Sequence, residues 1–258
     1  MSSGPAANSI VAEFLDVSDS DVAANRDEFA AILKLIRRYR AVDRTTRLLE
    51  IGTGTGWFQI LCHQEGIPSC GLEIDEQLVA YARQLGASHG LQLDLRTGNL
   101  DEVDLGQASF DVIVATSTFE HVRDWRGGLA KVYRALKPGG AFYFGSTNKF
   151  SFTSGEYSFP FYGWYPDVVR YRLRQYFQGP QIMQWGIDFN QFTHPQLRRT
   201  FKRLGFRGIY DRVDALDPDN LAHPTWKKRL LLKVLKTVPG AHSVATTFAP
   251  TTLFVCVK

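Results

Sequence analysis

A glycine-rich turn between an apolar segment and a helical segment constrains this chain more than any other feature. It lies in the run Leu48-Leu49-Glu50-Ile51-Gly52-Thr53-Gly54-Thr55-Gly56. The pattern predicts a strand over 47–51, then the turn, then a helix from Trp57 to Glu65. Such a turn presents bare backbone N–H groups at the positive end of a helix dipole, where a nucleotide-like or zwitterionic ligand binds. A tight turn without a ligand remains the alternative, because short motifs also occur by chance.

Strand and helix patterns alternate through the first 147 residues. Further strands are predicted at 69–74, 91–96, 110–115 and 141–145, and helices at 21–40, 76–88 and 126–136. The segment from Phe110 to Ala115 is almost wholly apolar, which is typical of a strand buried on both faces. The alternation predicts an α/β fold with a doubly wound, parallel sheet.

Regular patterning ends between Ser146 and Phe192, where 14 of 47 residues are Phe, Tyr or Trp. We interpret this segment as a lid over an apolar pocket, with Gly155, Gly163 and Gly179 as candidate hinges. An ordinary packed subdomain is an equal alternative, because aromatic residues mainly mark cores. Stacking on nucleic-acid bases is the weakest interpretation, since few cations are interleaved with the rings.

Helical and strand patterns return after residue 192. Thr193 is predicted to cap a helix that ends at Leu204, with Gln196 completing a capping box. Strands are predicted at 206–212 and 252–257, with a basic helix at 227–236 between them. The basic helix is interpreted as a core helix with a solvated face, in preference to a helix lying on a membrane surface.

Length, charge and cysteine content limit the function classes. The 258 residues accommodate one large domain, or one domain plus an appended subdomain, and a net charge of +4 is too small by itself to indicate nucleic-acid binding. Cys62, Cys70 and Cys256 have no C-x-x-C spacing, so neither a disulfide framework nor a zinc site is predicted. We find no signal-peptide pattern and no run of eighteen apolar residues, so a cytoplasmic protein without a transmembrane segment is expected.

Polar side chains follow the predicted strands at their carboxyl ends. Glu73 ends the second strand, where an acid accepts hydrogen bonds from ribose hydroxyls in nucleotide-binding sheets. Asn99 and Leu100 follow the third strand and are placed to hold an adenine edge. The segment from Thr116 to His121 follows the fourth strand, where the reacting group is expected.

Together these motifs resemble class I S-adenosylmethionine-dependent methyltransferases, most closely the small-molecule branch that includes ubiquinone-biosynthesis O-methyltransferases. The matching segments, in order, are 50–56, Gly71-Leu72-Glu73-Ile74-Asp75, Phe110-Asp111-Val112-Ile113-Val114, Phe119-Glu120-His121-Val122 and Leu136-Lys137-Pro138-Gly139-Gly140. The resemblance implies a seven-stranded, mostly parallel Rossmann-like sheet. It also implies a C-terminal antiparallel hairpin, with the aromatic-rich insertion following strand five, and S-adenosyl-L-methionine as the cofactor.

The resemblance also implies roles for individual residues. Glu50 and the glycine turn correspond to the part that holds the methionine end of the cofactor, and Glu73 to the ribose-binding acid. Asn99 replaces the more usual aspartate at the adenine. The full predicted cofactor set is Glu50, Gly52, Thr53, Gly54, Gly56, Trp57, Glu73, Ile74, Asn99, Leu100 and Thr116.

The loop after strand four carries the predicted catalytic residue. His121 is expected to act as a general base toward a hydroxyl, with a purely structural histidine as the alternative. In the quinone branch, two acids and a histidine around this loop are associated with a metal ion. Glu120 and His121 match the second acid and the histidine, but Ser117 stands where the first acid is expected. No metal ligands are therefore predicted.

The sequence thus predicts a single methyltransferase domain over 1–258. It divides into an N-terminal helical cap (1–45), a cofactor-binding core (46–147), an aromatic lid (146–192) and the C-terminal part of the sheet (193–258). The expected reaction is methyl transfer to a hydroxyl, less readily an amine or carbon, of a small apolar or glycosylated metabolite. A nicotinamide-dependent oxidoreductase is disfavoured because its fingerprint is GxGxxG. A non-catalytic binding or scaffold protein of the same fold stays open, and the sequence does not indicate an oligomeric state.

Overall fold

The computed structural model describes residues 22–153, 159–179, 188–216 and 225–258. Asp21, the candidate hinge Gly155 and the whole part of the predicted N-terminal cap before residue 22 lie outside these residues. In the first part of the chain the elements are α1 (Arg26–Arg37), β1 (Leu48–Ile51), α2 (Trp57–Gln64), β2 (Ser69–Glu73), α3 (Glu76–Ser88), β3 (Leu95–Thr97), β4 (Phe110–Thr116), α4 (Trp125–Ala135) and β5 (Leu136–Thr147). They continue with α5 (Asp167–Gln178), α6 (His194–Leu204), β6 (Gly208–Asp211), α7 (Arg212–Ala215), α8 (Trp226–Thr237), α9 (Ala241–Thr247) and β7 (Thr251–Val257).

The strands form one seven-stranded sheet in the order β3-β2-β1-β4-β5-β7-β6. β1 pairs in parallel with β2 and β4, and β2 pairs in parallel with β3. β6 and β7 pair antiparallel, with Gly208 opposite Val257. The predicted α/β sheet with a C-terminal antiparallel pair is therefore confirmed. Among the described helices, none has the length and apolar character needed to cross a membrane.

The chain divides into two compact units, which are described separately. The first unit contains the described residues up to 115 together with 127–141. One face of α1 is buried through Phe29, Ile32, Leu33 and Ile36, at the helical spacing seen in the sequence. Strands β1 and β4 are buried almost throughout, because parallel strands are covered on both faces.

The second unit contains residues 116–126 and the described residues from 142 onward. Its core is a chain of aromatic rings. Phe144 lies 5.7 Å from Phe192 and 5.6 Å from Phe201 between ring centroids, and Phe201 lies 5.3 Å from Phe254. These edge-to-face contacts join β5, α6 and β7.

The segment 146–192 contains a helix, α5, that the sequence analysis did not predict. The buried positions of α5 are Arg170 and Arg174, spaced four apart. Because arginines occupy the inward-facing positions, the helix lacks the apolar stripe from which helices are recognised.

Several predicted boundaries and contacts were wrong. β3 begins at Leu95 and not at residue 91, since its pairing with β2 starts at Leu95, opposite Gly71. β5 begins at Leu136, so the lysine-proline-glycine-glycine run lies within its span. Thr193 is the N-cap residue of α6, but its side chain makes no capping hydrogen bond.

The preferred interpretation of the basic helix as a core helix was also wrong. Leu232 is the one buried residue of α8, whereas Trp226, Leu230, Leu231 and Val234 are exposed. Most apolar side chains of this helix therefore face solvent together with its lysines.

Candidate functional site

The glycine turn joins β1 to α2 in a conformation that requires glycine. Gly52, Gly54 and Gly56 have φ values of 77°, 50° and 82°, all in the left-handed region. A Cβ atom on Gly56 would also lie 2.8 Å from Cβ of Ala82. Gly56 is the N-cap residue of α2, and Trp57 begins that helix half-buried. The turn thus directs the N-terminus of α2 toward any ligand bound there.

Buried polar groups in and behind this turn lack hydrogen-bond partners. The hydroxyls of Thr53 and Thr55 are buried and have no partner among the described residues, and the same holds for Oε1 of Gln59 on α2. A buried polar group left unsatisfied costs about 1–3 kcal/mol, so such groups gather where a ligand completes the site. These residues therefore fit a polar ligand at the turn.

Glu50 is the acidic residue at the base of the turn. It is 3% exposed, and Nε2 of Gln59 donates a hydrogen bond of 3.0 Å to its carboxyl group. Burial raises the pKa of Glu50 to about 8, and the negative charge of Glu73 adds to that rise, although the hydrogen bond from Gln59 opposes it. A cation bound next to this carboxyl group would favour its ionised form and so lower its pKa.

Glu73 lies against the same turn, as predicted. Its Oε2 accepts a hydrogen bond of 2.9 Å from the N–H of Gly54. Its Oε1 accepts from the N–H groups of Ile74 at 2.9 Å and Asp75 at 3.2 Å. These bonds fix the carboxylate, and its remaining lone pairs can accept hydroxyl donors. Ile74 is 64% exposed and is the one exposed large apolar side chain among the described residues of this unit.

The turn after β3 is held by a residue that sequence reasoning missed. Oδ1 of Asn99 accepts a hydrogen bond of 2.9 Å from the N–H of Asp101. Nζ of Lys131, on α4, donates to the carbonyls of Leu100 at 2.9 Å, Asp101 at 2.7 Å and Val103 at 3.1 Å. No local pattern marks Lys131, because its partners lie about 30 residues earlier in the chain.

In the second unit, the backbone turns sharply after Thr116, the last residue of β4. Ser117 is exposed and has a φ of 47°, which is unusual for a residue other than glycine. Its N–H donates a hydrogen bond of 2.9 Å to the carbonyl of Gly145. Strained backbone of this kind concentrates at functional sites.

Glu120 and His121 lie in the short helical turn Phe119–His121. Glu120 is fully buried, and its Oε2 accepts a hydrogen bond of 2.8 Å from the hydroxyl of Ser146. Its carbonyl accepts a bond of 3.0 Å from the N–H of Asn190. These contacts give Glu120 a structural role. The neighbouring His121 is half-buried.

The second unit contains a cavity of about 150 Å³ that is lined mainly by residues with hydroxyl or amide side chains. Its hydroxyl-bearing residues are Ser117, Thr147, Ser151, Thr153, Tyr162 and Thr251, joined by the amides of Asn148 and Gln191. The hydroxyl of Thr147 is buried and has no hydrogen-bond partner within the described part of the chain. His121 is not among the described lining residues, so the predicted approach of His121 to an acceptor stays a prediction.

A buried ion pair stands behind one wall of this cavity. Nη1 of Arg170 lies 2.8 Å from Oδ2 of Asp188, and both side chains are almost fully buried. The hydroxyl of Tyr162 donates a hydrogen bond of 3.0 Å to Oδ1 of Asp188. Burial together with the neighbouring Asp188 charge raises the pKa of Tyr162, so its hydroxyl stays protonated. This network gives part of the aromatic-rich segment the character of a packed subdomain.

Other aromatic residues of the second unit form an exposed cluster. Phe152, Phe161, Trp164 and Phe248 are all exposed, and their ring centroids lie 5.6–6.2 Å apart in successive pairs. Nε1 of Trp164 donates a hydrogen bond of 3.1 Å to the carbonyl of the cavity residue Ser151. An apolar surface therefore adjoins the polar cavity.

Comparison with known proteins agrees with this site. Residues 49–144 match the model of a methyltransferase domain. The chain is 34% identical over 108 residues to a probable S-adenosylmethionine-dependent methyltransferase of Mycolicibacterium smegmatis, a match that covers 42% of this chain and 40% of that protein. It is 30% identical over 104 residues to a ubiquinone biosynthesis O-methyltransferase of Idiomarina loihiensis, covering 40% of this chain and 43% of the relative. The match thus spans less than half the length of these relatives.

The fold has a counterpart among solved structures. An S-adenosylmethionine-dependent methyltransferase from Mesorhizobium loti superposes with a TM-score of 0.56 at 20% identity, covering 93% of this chain and all of that one. At this identity the likeness shows the fold alone. The matched domain and these relatives agree with the glycine turn and its acidic partners: residues 49–144 are similar to the methyltransferase domain of S-adenosylmethionine-dependent methyltransferases.

Proposed function

We propose that this chain is an enzyme that transfers a methyl group from S-adenosylmethionine to a hydroxyl of a small metabolite. The observation that carries the proposal is the set of buried, unpartnered polar groups of Thr53, Thr55 and Gln59 around a glycine turn. Most buried polar groups have hydrogen-bond partners, so these three groups around one turn support a polar ligand there.

Residues of the first unit supply the cofactor contacts in this proposal. The backbone N–H groups of the glycine turn take the carboxylate of the methionine end, and Glu50 takes its ammonium group. Glu73 accepts the ribose hydroxyls, and the exposed Ile74 covers one face of the adenine. Asn99 and Leu100 lie at the adenine edge, in a turn that Lys131 fixes. When bound, S-adenosylmethionine supplies an electrophilic methyl group.

Residues of the second unit supply the acceptor contacts. The cavity lined by hydroxyl and amide groups suits a polar end that carries the accepting hydroxyl. The adjoining aromatic cluster suits an apolar portion of the same molecule. A small amphipathic metabolite therefore fits better than a purely apolar or a purely polar one.

Methyl transfer to an oxygen requires the acceptor hydroxyl in line with the sulfonium methyl group, and proximity and orientation supply large rate gains in such reactions. His121 would receive the hydroxyl proton as a general base. The closure of the aromatic segment as a lid, the organisation as a single domain and a cytoplasmic location remain parts of this proposal.

Label transfer tests the proposed reaction. The protein is incubated with S-adenosylmethionine that carries a deuterated methyl group and with fractionated small hydroxylated metabolites, and products are followed by mass spectrometry. The proposal predicts a labelled methyl ether that forms far more slowly in the Glu73→Gln variant at limiting S-adenosylmethionine and at the normal rate in Glu76→Gln, whose side chain is exposed on α3. Cofactor binding without labelled product from any fraction would favour a non-catalytic binding protein.

We also propose that α8 contacts an anionic membrane surface. The helix carries five cationic residues and no acidic one. Trp226, Leu230 and Val234 recur every fourth residue and are exposed, with Trp226 at 71%. An amphipathic helix of this composition lies in the interface of anionic lipids, where each cation contributes about 1 kcal/mol.

A further inference from the structure

Two histidines and one aspartate converge in the second unit, outside the groups assigned to methyl transfer. They are His194, the first residue of α6, Asp211, the last residue of β6, and His242 on α9. Each offers one ligand atom, and these three atoms lie within 4.8 Å of one another. Among the described residues, no other group of three histidine, cysteine or acidic side chains converges in this way.

The carboxylate of Asp211 is oriented so that one oxygen faces both histidines. Its Oδ1 accepts hydrogen bonds from the N–H groups of Val213 at 2.9 Å and Asp214 at 3.2 Å. Its Oδ2 lies 2.8 Å from Nε2 of His194 and 2.7 Å from Nε2 of His242. The backbone bonds therefore serve as the outer shell that orients a ligating carboxylate.

The two imidazoles differ in how firmly they are held. The ring of His194 is buried and stacks on Phe254, with 4.9 Å between centroids and 21° between planes. The side chain of His242 is 32% exposed, so one side of the group opens to solvent. Three protein ligands with one open position are typical of a zinc site that retains a water molecule.

We propose that His194, Asp211 and His242 bind a divalent transition-metal ion, with Zn²⁺ as the best match. Two imidazole nitrogens and one carboxylate oxygen form a donor set that suits zinc better than magnesium or calcium, which prefer oxygen ligands alone. Tetrahedral zinc with bonds of about 2.0–2.1 Å places its ligand atoms about 3.3 Å apart. Binding therefore requires the 2.7–2.8 Å contacts to lengthen by roughly 0.5 Å.

The positive charge of a neighbouring arginine, Arg198, opposes binding of the metal ion. Nη1 of Arg198 lies 3.7 Å from Oδ2 of Asp211. The side chain of Arg198 is 48% exposed, so it can turn into solvent when the ion enters. The bound ion would tie α6, β6 and α9 together, three elements whose ligands are spread over 49 residues from His194 to His242.

Titration of the full-length protein tests this site. The protein is treated with EDTA, dialysed and titrated with Zn²⁺ by calorimetry, and with Co²⁺ while its visible absorption is recorded. We expect one equivalent of Zn²⁺, an increase in the melting temperature, and a Co²⁺ spectrum of low-coordinate geometry. Loss of an outer-shell partner weakens metal binding about 10–100-fold. Because His242 would be a direct ligand, His242→Gln should weaken Zn²⁺ binding by more than this.

The exposed histidine at the end of α3 provides the matched control, since His89→Gln should bind Zn²⁺ as the wild type does. Because His242 is partly exposed, the variant should fold, and its circular dichroism spectrum checks this. Absence of stoichiometric Zn²⁺ binding, or equal binding by wild type and His242→Gln, would overturn the proposal and leave a hydrogen-bonded triad. A thiolate-to-Co²⁺ charge-transfer band would assign the ion to cysteine and also overturn it.

Discussion

Binding of the cofactor should release a proton from Glu50. Burial raises the pKa of this carboxyl group to about 8, so most of the molecules carry the proton at pH 7. If the ammonium group of the cofactor pairs with Glu50, the carboxyl group must ionise, and binding at pH 7 should release up to about one proton. Between pH 6 and pH 7 the ionised fraction rises about tenfold, so affinity for S-adenosylhomocysteine should rise about tenfold as well.

Calorimetry in buffers with different ionisation enthalpies measures this proton release. The Glu50→Gln variant has no titrating group, so its proton release should fall to near zero and its affinity should become nearly independent of pH. Glu65→Gln, an exposed position just after α2, is the matched control and should behave as the wild type does. Proton release near zero in the wild type, or unchanged release in Glu50→Gln, would refute the pairing.

The same carboxyl group should make stability depend on pH. The native state keeps the Glu50 proton up to about pH 8, whereas the unfolded chain loses it near 4.5. Between these values the native state binds more protons, so the free energy of unfolding should fall as pH rises, by up to about 1.4 kcal/mol per unit. Denaturant unfolding of wild type and Glu50→Gln at pH 5.5 and 7.5 measures the difference. Parallel pH dependence in the two proteins would contradict the buried-acid assignment.

Three further changes test other parts of the molecule. His121→Ala should retain affinity for S-adenosylhomocysteine and lose about 100-fold or more in turnover if the histidine is a general base, and normal turnover would exclude that role. Gly56→Ala should lower the free energy of unfolding by about 1–3 kcal/mol in denaturant titrations because of its left-handed backbone. The fall in the free energy of unfolding should be larger than that caused by Gly90→Ala. Gly90 has a similar φ, but no atom lies within 4 Å of the position that its Cβ would take. Wild-type protein should float with phosphatidylglycerol vesicles and not with phosphatidylcholine vesicles. Replacing Leu230 and Leu231 by serine should abolish this flotation. If the variant floats as the wild type does, α8 is not the membrane-binding element.

The sheet and the first half of the site could be predicted from local sequence. The strand patterns before residue 147 alternate with helix patterns, and this alternation alone indicates a parallel sheet. The glycine turn and Glu73 were also predictable, because each follows a strand at its carboxyl end. The hydrogen bond of 2.9 Å between Gly54 and Glu73 brings the two motifs together as expected.

Features that depend on distant contacts could not be predicted. α5 was missed because Arg170 and Arg174 occupy its buried positions, and the role of Arg170 depends on its ion pair with Asp188, 18 residues later. The solvent exposure of α8 was misjudged because composition does not show whether another element covers a helix. His194 and His242 meet only because β6 and two helices bring them to Asp211.

Titration with S-adenosylhomocysteine and with NADH tests the central claim most directly. The wild-type protein should bind one equivalent of S-adenosylhomocysteine and no NADH. Glu73→Gln should lose about 1.5–3 kcal/mol of binding free energy, the range for a hydrogen bond to a charged group, while Glu76→Gln should lose none. Two results would contradict the assignment of the glycine turn and Glu73 as the cofactor site. One is preferential binding of NADH. The other is equal affinity for S-adenosylhomocysteine in the wild type, Glu73→Gln and Glu76→Gln.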